Sequence, residues 1–406
     1  MKMTIDEQVA ILMQGTAYGD AQLKQAMADE LRERLIMGEK EGRPLKVYCG
    51  FDPTSSDLHL GHTVPIRKLR QFQEFGHEVI FLVGNYTSLI GDPSDKDKLR
   101  PRLTPEQVEK NARTYAEQAY KILDREKTEI KYNADWLSEI SFAELIETSA
   151  NFTVQQFLTR ENFRLRFDKG DPIYLHETFY ALMQGYDAYE MRTDVQVGGT
   201  DQLFNIITAA RKLMAAKGEK PNIGIILGIL PGTDGEVKMS KSLGNHIPIL
   251  GKPGDMYGKV MSVPDTAMGA YFRLITRFTP PEIEALEADL AGRKLHPRDV
   301  KMKLAREIVA IYHDEAAAKE AEAAFVNVFQ KGNIPDEMPE YRLQPDQTVL
   351  EVLKEGNLVS SNGEGRRMVK QNAVSLDGAK LTDAHAPFPG EGVLRVGKHK
   401  FLKVTL

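Results

Sequence analysis

The run Val79-Ile80-Phe81-Leu82-Val83 narrows the choice of fold more than any other stretch. Unbroken apolar residues leave no polar face, so a strand built from them is buried on both sides. Such strands belong to parallel sheets, whose two faces are covered by crossover helices. Upstream, Val47-Tyr48-Cys49-Gly50-Phe51 reads as a second strand, rich in β-branched and aromatic residues. A helical stretch joins the two, giving a βαβ unit. The apolar run at 223–230 follows the same pattern. Open parallel sheets bind ligands beyond the carboxyl ends of their strands, so the residues following Phe51 are the first candidates for a site.

Asp52-Pro53-Thr54 reads as a turn, and a helix is expected from Ser56 or Asp57, carrying His59 and His62 three residues apart on one face. Gly61 between them removes a side chain where something flat could lie against the backbone. A helix N-terminus with free N–H groups suits an anion. Taken alone, the His pair also fits an ordinary half-buried surface. Zinc could use the spacing too, but Cys49 is the only cysteine and no carboxylate pattern completes a site. Downstream, Lys238-Met239-Ser240-Lys241-Ser242 is either a solvated lysine loop or a mobile cationic flap, suited to charge that appears during reaction. His-Leu-Gly-His after Gly-Phe-Asp-Pro-Thr resembles the first signature of the class I aminoacyl-tRNA synthetases, with flanking residues like the tyrosyl branch. Lys-Met-Ser-Lys-Ser matches the second signature verbatim and in the right order.

The remaining chain fits around these points. Residues up to about 45 read as helix, and 85–98 as a polar loop in which Asp92 is either a turn aspartate or a partner for an ammonium group. Residues 104–170 are expected to be mostly helical and contain Trp136, the only tryptophan; Phe152, Val154, Phe157 and Leu158 could be core or dimer contacts. On a helix, Tyr180, Gln184 and Asp187 share one face, either turned to solvent or walling a polar pocket. Gly198-Gly199 then ends a strand, and Asp201 and Gln202 open a helix. A carboxylate there suits ribose hydroxyls. Pro297 sits near the start of a helix, and helical composition extends to about Phe329 before a Pro- and acid-bearing hinge.

Charge sharpens the picture of the tail. The chain carries a net −5, which excludes a generally basic nucleic-acid coat. Residues 345–406 nevertheless hold nine Lys/Arg against seven Asp/Glu. There Ser361-Asn362-Gly363-Glu364 reads as a capping box opening a helix with Arg366, Arg367 and Lys370. This segment resembles the S4 RNA-binding module, with Gly365 where that pattern usually has alanine, at a cost of ~1 kcal/mol in helix propensity. A basic face fits RNA phosphates, although ordinary surface lysines look the same. One cysteine fits a reducing cytoplasm, and no apolar run approaches the ~18 residues of a membrane span.

The whole chain is similar to the bacterial tyrosyl-tRNA synthetases that keep the full lysine loop. The resemblance implies an α/β fold: a Rossmann-like parallel-sheet catalytic domain over 1–250 with a helical insertion at about 104–170. An α-helical domain (251–334), a linker (335–344) and a small α+β S4-like domain (345–406) would follow. It implies a homodimer that activates L-tyrosine with ATP, Mg2+ riding on the ATP phosphates, and then esterifies tRNA(Tyr), with no metal site of its own. Tyr48 and Asp187 would bind the substrate phenol, and Asp92, Tyr180 and Gln184 its ammonium. ATP would meet Gly50, Asp52, His59, Gly61, His62, Gly199, Asp201 and Lys241. Thr54, His59, His62, Gln202, Lys238 and Lys241 would serve the reaction, and Arg366, Arg367 and Lys370 the RNA. The tryptophanyl relatives share both signatures, but the phenol-directed pair Tyr48 and Asp187 argues against them. A nucleotidyltransferase would leave the lysine loop and tail unexplained. An RNA-binding regulator on this scaffold would be expected to carry damaged signatures.

Overall fold

Five parallel strands make the central sheet: β1 (Lys46–Phe51), β2 (Glu78–Val83), β3 (Thr128–Tyr132), β4 (Val195–Gly199) and β5 (Ile223–Leu227). Their spatial order is β3-β2-β1-β4-β5. The computed structural model describes residues 3–53, 57–94, 104–330, 338–397 and 400–406. Residues 1–315 form one unit and 316–406 another. Val79 to Val83 and all of β5 are buried, as unbroken apolar runs require. The chain lays β2 and β3 on one side of β1, then returns to place β4 on the other. Where the order reverses, between β1 and β4, the connections diverge and open a crevice at the carboxyl ends.

Two local expectations are corrected and a third is refined. The stretch 104–170 is mostly helical, but β3 lies within it as the sheet's edge strand. Its sequence Thr-Glu-Ile-Lys-Tyr is half-buried, so it lacks the apolar run that marks a central strand. The helix after the signature begins at Leu60, not at Ser56 or Asp57, because the His59 side chain acts as its N-cap and accepts from Gly61 N. Toward the end of the unit, the helix Pro297–Tyr312 stops at His313 and a separate helix, Glu315–Phe325, begins. Pro297 does occupy the first turn, with His296 capping it.

Below the sheet, at the amino end of β4, Asp194 ties three elements together. Its carboxylate accepts from Arg34 Nη1 and Arg43 Nη1, each at 2.7 Å, and from Lys46 N at 2.9 Å. Burial works against the charged form, but Arg43, the Lys46 N–H and Arg34 together hold this carboxyl below the usual range. After β4 the chain makes a short 3-10 turn, Thr200–Gln202, and then a wide π-type turn, Phe204–Ala210, that packs against the helix Leu175–Met191. Such widened turns recur at functional sites.

The second unit has a mixed sheet: β6 (Glu340–Arg342), β7 (Val374–Leu376), β8 (Ala379–Lys380), β9 (Gly392–Val396) and β10 (Lys400–Thr405), in the order β6-β10-β9-β7-β8. β6 already belongs to this sheet, ahead of Pro345. The helices Val349–Glu355 and Asn362–Lys370 bury Val349, Leu353 and Val369 against Val374, Leu394 and Leu402. The capping box is displaced by one residue: Ser361 Oγ accepts from Glu364 N, but the Glu364 carboxylate accepts from Ser360 N at 2.7 Å. Gly365 has a packing reason, since a Cβ there would stand 2.5 Å from Leu350 Cδ1.

Candidate active site

β1 delivers Tyr48 into the first unit's core, where it packs with Ile80, Leu82, Ala188 and Met214. Its hydroxyl is buried and has no hydrogen-bond partner among the described residues, a costly state for a phenol. Burial drives that hydroxyl's pKa well up, and the charge of Asp187 adds to the effect. Asp187, on the helix Leu175–Met191, is itself buried. Trp136 Nε1 donates to its Oδ1 at 2.8 Å and Asn133 Nδ2 to its Oδ2 at 3.2 Å. Burial pushes its carboxyl up to about 7, against the pull of Trp136 and Asn133, while the charge of Asp52 adds to the rise. An acceptor and a hydroxyl within reach of its charge are thus both buried in a dry setting.

The network continues toward the crevice. Asn133 Nδ2 also donates to Thr87 Oγ1 at 3.1 Å, and Thr87 Oγ1 donates to Asp52 Oδ1 at 2.8 Å. Tyr180 Oη donates to Asp52 Oδ2 at 3.0 Å. Gly84 ends β2 beside this group, and any Cβ there would collide with the Asp52 carboxylate and the Thr87 hydroxyl. Gln184, one turn along from Tyr180, has its Oε1 buried without a partner among the described residues. Asp92 is bonded on both oxygens: its Oδ2 accepts from Gln202 Nε2 at 2.5 Å, and its Oδ1 from Ser94 N at 2.9 Å. Gln202 Oε1 in turn accepts from Asn205 Nδ2 at 3.0 Å.

Across the crevice the two signatures come together. The His59 and His62 rings lie 3.8 Å apart, with His246 at 6.0 Å from His59. His59 Nδ1 accepts from Gly61 N and His62 Nδ1 from His59 N, so each ring keeps its proton on Nε2 as a donor. Burial lowers His59 to about 3 and His62 to about 4, helped by Lys241 and Lys238, so both are neutral near pH 7. The space beside Gly61 is filled by the His59 ring and Met239. Lys238 Nζ is 3.5 Å from Asp201 Oδ2, and Lys241 Nζ is 3.7 Å from Asp57 Oδ2. The lysine loop is anchored by buried Met239, whose N–H bonds Leu230 O, and by Asn245, which takes Ser240 N at 2.8 Å. At the end of β4, a Cβ on Gly199 would lie 2.5 Å from Asp201 Oδ1. Gly50 is exposed at the end of β1. Thr54 lies outside the described residues.

Sequence reading missed Asn133, Thr87, Arg160 and His246, and saw Trp136 without a role. Asn133 immediately follows β3, so recognising that edge strand is the signal that would have exposed it. In the second unit Arg366, Arg367 and Lys370 are all exposed on the helix Asn362–Lys370.

A family model for tRNA synthetases class I (W and Y) matches residues 40–330. The chain is 47% identical over 380 residues to a tyrosine–tRNA ligase of Desulfotalea psychrophila, covering 93% of this chain and 94% of that protein. It is 44% identical to one from Moorella thermoacetica, covering 100% of this chain and 97% of the relative. Among solved structures, the C-terminally truncated mitochondrial tyrosyl-tRNA synthetase of Aspergillus nidulans is similar in fold, with a TM-score of 0.63 at 21% identity, covering 80% of this chain and 94% of that one.

Proposed function

The chain belongs to the class I tRNA synthetases of the W and Y family, and from that premise we infer that it acts as a tyrosine–tRNA ligase. It couples tyrosine to AMP from Mg-ATP, releasing pyrophosphate, and then esterifies the 3′ end of tRNA(Tyr). The observation that carries the tyrosine specificity is the buried Tyr48 hydroxyl, without a partner among the described residues and under the charge of buried Asp187. A substrate phenol donates to Asp187 and accepts from Tyr48. Phenylalanine leaves the Tyr48 hydroxyl without an acceptor and Asp187 one donor short, with only Trp136 and Asn133 on it among the described residues. Synthetases of this specificity reject phenylalanine by a known factor of about 10⁵ without editing.

The other roles follow from position. Asp92, Tyr180 and Gln184 hold the ammonium group, the unpaired Gln184 Oε1 being an acceptor in waiting. Asp52, Gly50, Gly61, Gly199 and Asp201 frame ATP, and Gln202 stands near the reacting carboxylate through its bond to Asp92. Attack of a carboxylate on the α-phosphate requires positioning and charge neutralisation, not a protein nucleophile. His59 and His62 serve as neutral Nε2–H donors to phosphate, with Thr54 in the same role. Lys238 and Lys241 exchange Asp201 and Asp57 for the departing pyrophosphate. Mg2+ arrives on the ATP phosphates as part of the substrate.

Two copies associate through exposed apolar side chains of the first unit, of which Phe142, Val154, Phe167 and Leu175 are 77%, 70%, 63% and 73% exposed. Phe157 serves the core. The C-terminal unit acts as the S4-like RNA module, with Arg366, Arg367 and Lys370 against phosphates. Among the described residues no helix is long and apolar enough to cross a membrane, and we place the enzyme in the cytoplasm, where its substrates are. The test is equilibrium binding of tyrosine and phenylalanine to the protein and to Tyr48→Phe. The wild type prefers tyrosine strongly, and the variant narrows the gap by about 10-fold, the worth of one hydrogen bond in a dry pocket. An unchanged gap contradicts the assignment.

A further inference from the structure

The turn Asp92-Pro93-Ser94 is held from outside by two residues of a neighbouring helix start. Arg160 stands at the N-cap position of the helix Glu161–Lys169 without bonding its backbone. Its Nη2 donates to Ser94 Oγ at 2.6 Å and lies 3.9 Å from Asp92 Oδ1. Two residues on, Asn162 Nδ2 donates to Pro93 O at 2.5 Å. Ser94 N–H closes the turn on Asp92 Oδ1 at 2.9 Å. All three residues of the turn are therefore held, two of them by Arg160 and one by Asn162.

The arrangement is expensive. The Arg160 side chain is only 3% exposed and its Nη1 has no partner among the described residues. It lies against the Phe163 and Phe204 rings, 4.9 and 5.2 Å from their centroids. A buried guanidinium with an unpaired nitrogen destabilises a fold, and an apolar residue of similar size serves stability better. Costs of this kind persist where a site needs them. Arg160 thus grips the turn twice, by the 2.6 Å bond to Ser94 Oγ and by a longer ionic approach to Asp92.

We propose that Arg160 and Asn162 are positioning residues for amino-acid recognition, clamping the Asp92-Pro93-Ser94 turn so that the Asp92 carboxylate is pre-aimed at the substrate ammonium. This rests on the reading of Asp92 as an ammonium partner. Preorganisation of this kind appears as affinity, since a loose turn must be ordered at the moment of binding. It acts on ligands that carry an ammonium group and leaves those without one untouched.

The test uses fluorescence of Trp136, the single tryptophan, to measure dissociation constants for L-tyrosine and for 3-(4-hydroxyphenyl)propionate, which lacks the ammonium. Wild type, Asn162→Ala, Ser94→Ala and the double variant are compared, with melting temperatures recorded for each. The expected result is that each single variant weakens tyrosine by roughly 5- to 10-fold. The desamino acid stays within about 2-fold, and the double variant weakens tyrosine by less than the product of the singles. Equal weakening of both ligands, or a fall in melting temperature with tyrosine affinity unchanged, overturns the clamp. Wild type that does not prefer tyrosine to the desamino acid overturns the Asp92 reading beneath it.

Discussion

Burial raises the Asp187 carboxyl to about 7, so its protonation changes within an accessible pH range. Folded Asp187 holds its proton more tightly than an unfolded aspartate at ~4. The stability it contributes is therefore complete below pH ~4 and is lost as pH rises through about 7. Tyrosine binding has the opposite sign, because a phenol donates best to the ionised carboxylate. Tyrosine affinity should rise about 10-fold from pH 6 to pH 8 and level off above, a single-group titration measurable by tryptophan quenching. Asp187→Asn should flatten the profile, and a flat wild-type profile contradicts this role. Trp136→Phe removes one of the two donors holding Asp187 and should cost about 10-fold in kcat/KM for tyrosine with the KM for ATP little changed. At this scale the sequence was legible where a motif named the residue, as for His59 and Lys238. It was silent about Asn133 and Thr87, because their significance is a contact with a residue 54 or 35 positions away.

Elements were read best where hydrophobic pattern and burial agree. β2 and β5 are buried along almost their whole length, and their apolar runs announced it. β3 is a half-buried edge and was absorbed into a helical region. The start of the helix Leu60–Glu74 was misplaced because its cap is a histidine, whereas cap recognition rests on Ser, Thr, Asp and Asn. Asp194 was not flagged, yet it fastens the helix Ala21–Glu41 and the residues before β1 to β4. Asp194→Ala should destabilise the first unit by about 3–5 kcal/mol, because buried Arg34 is left without its carboxylate. The folded pKa of Asp194 lies below its unfolded value. Its contribution is thus present above pH ~4 and lost as pH falls through the folded pKa. Urea unfolding of wild type and variant should converge on acidification, and parallel curves down to pH 3 contradict the account.

For the molecule as a whole, parallel-sheet topology followed from a few strands and one crossover, because open α/β folds allow few arrangements. Unit boundaries were less legible, since β6 joins its sheet only through pairing with β10, the last strand of the chain. A chain ending at Gln330 should retain adenylate formation while losing most tRNA aminoacylation, and equal loss of both would assign the C-terminal unit to the catalytic core. Phe167→Asp, at one of the exposed apolar side chains of the proposed dimer interface, should give a monomer by light scattering without unfolding, where the wild type is expected to be dimeric. The measurement that bears most directly on the central claim is amino-acid-dependent ATP–pyrophosphate exchange without tRNA, run with tyrosine, phenylalanine and tryptophan. Rapid exchange with tyrosine alone is the predicted result. Exchange with tryptophan, or none with tyrosine while ATP still binds, would contradict the account of Tyr48 and Asp187 as a phenol-selective pair in a working synthetase.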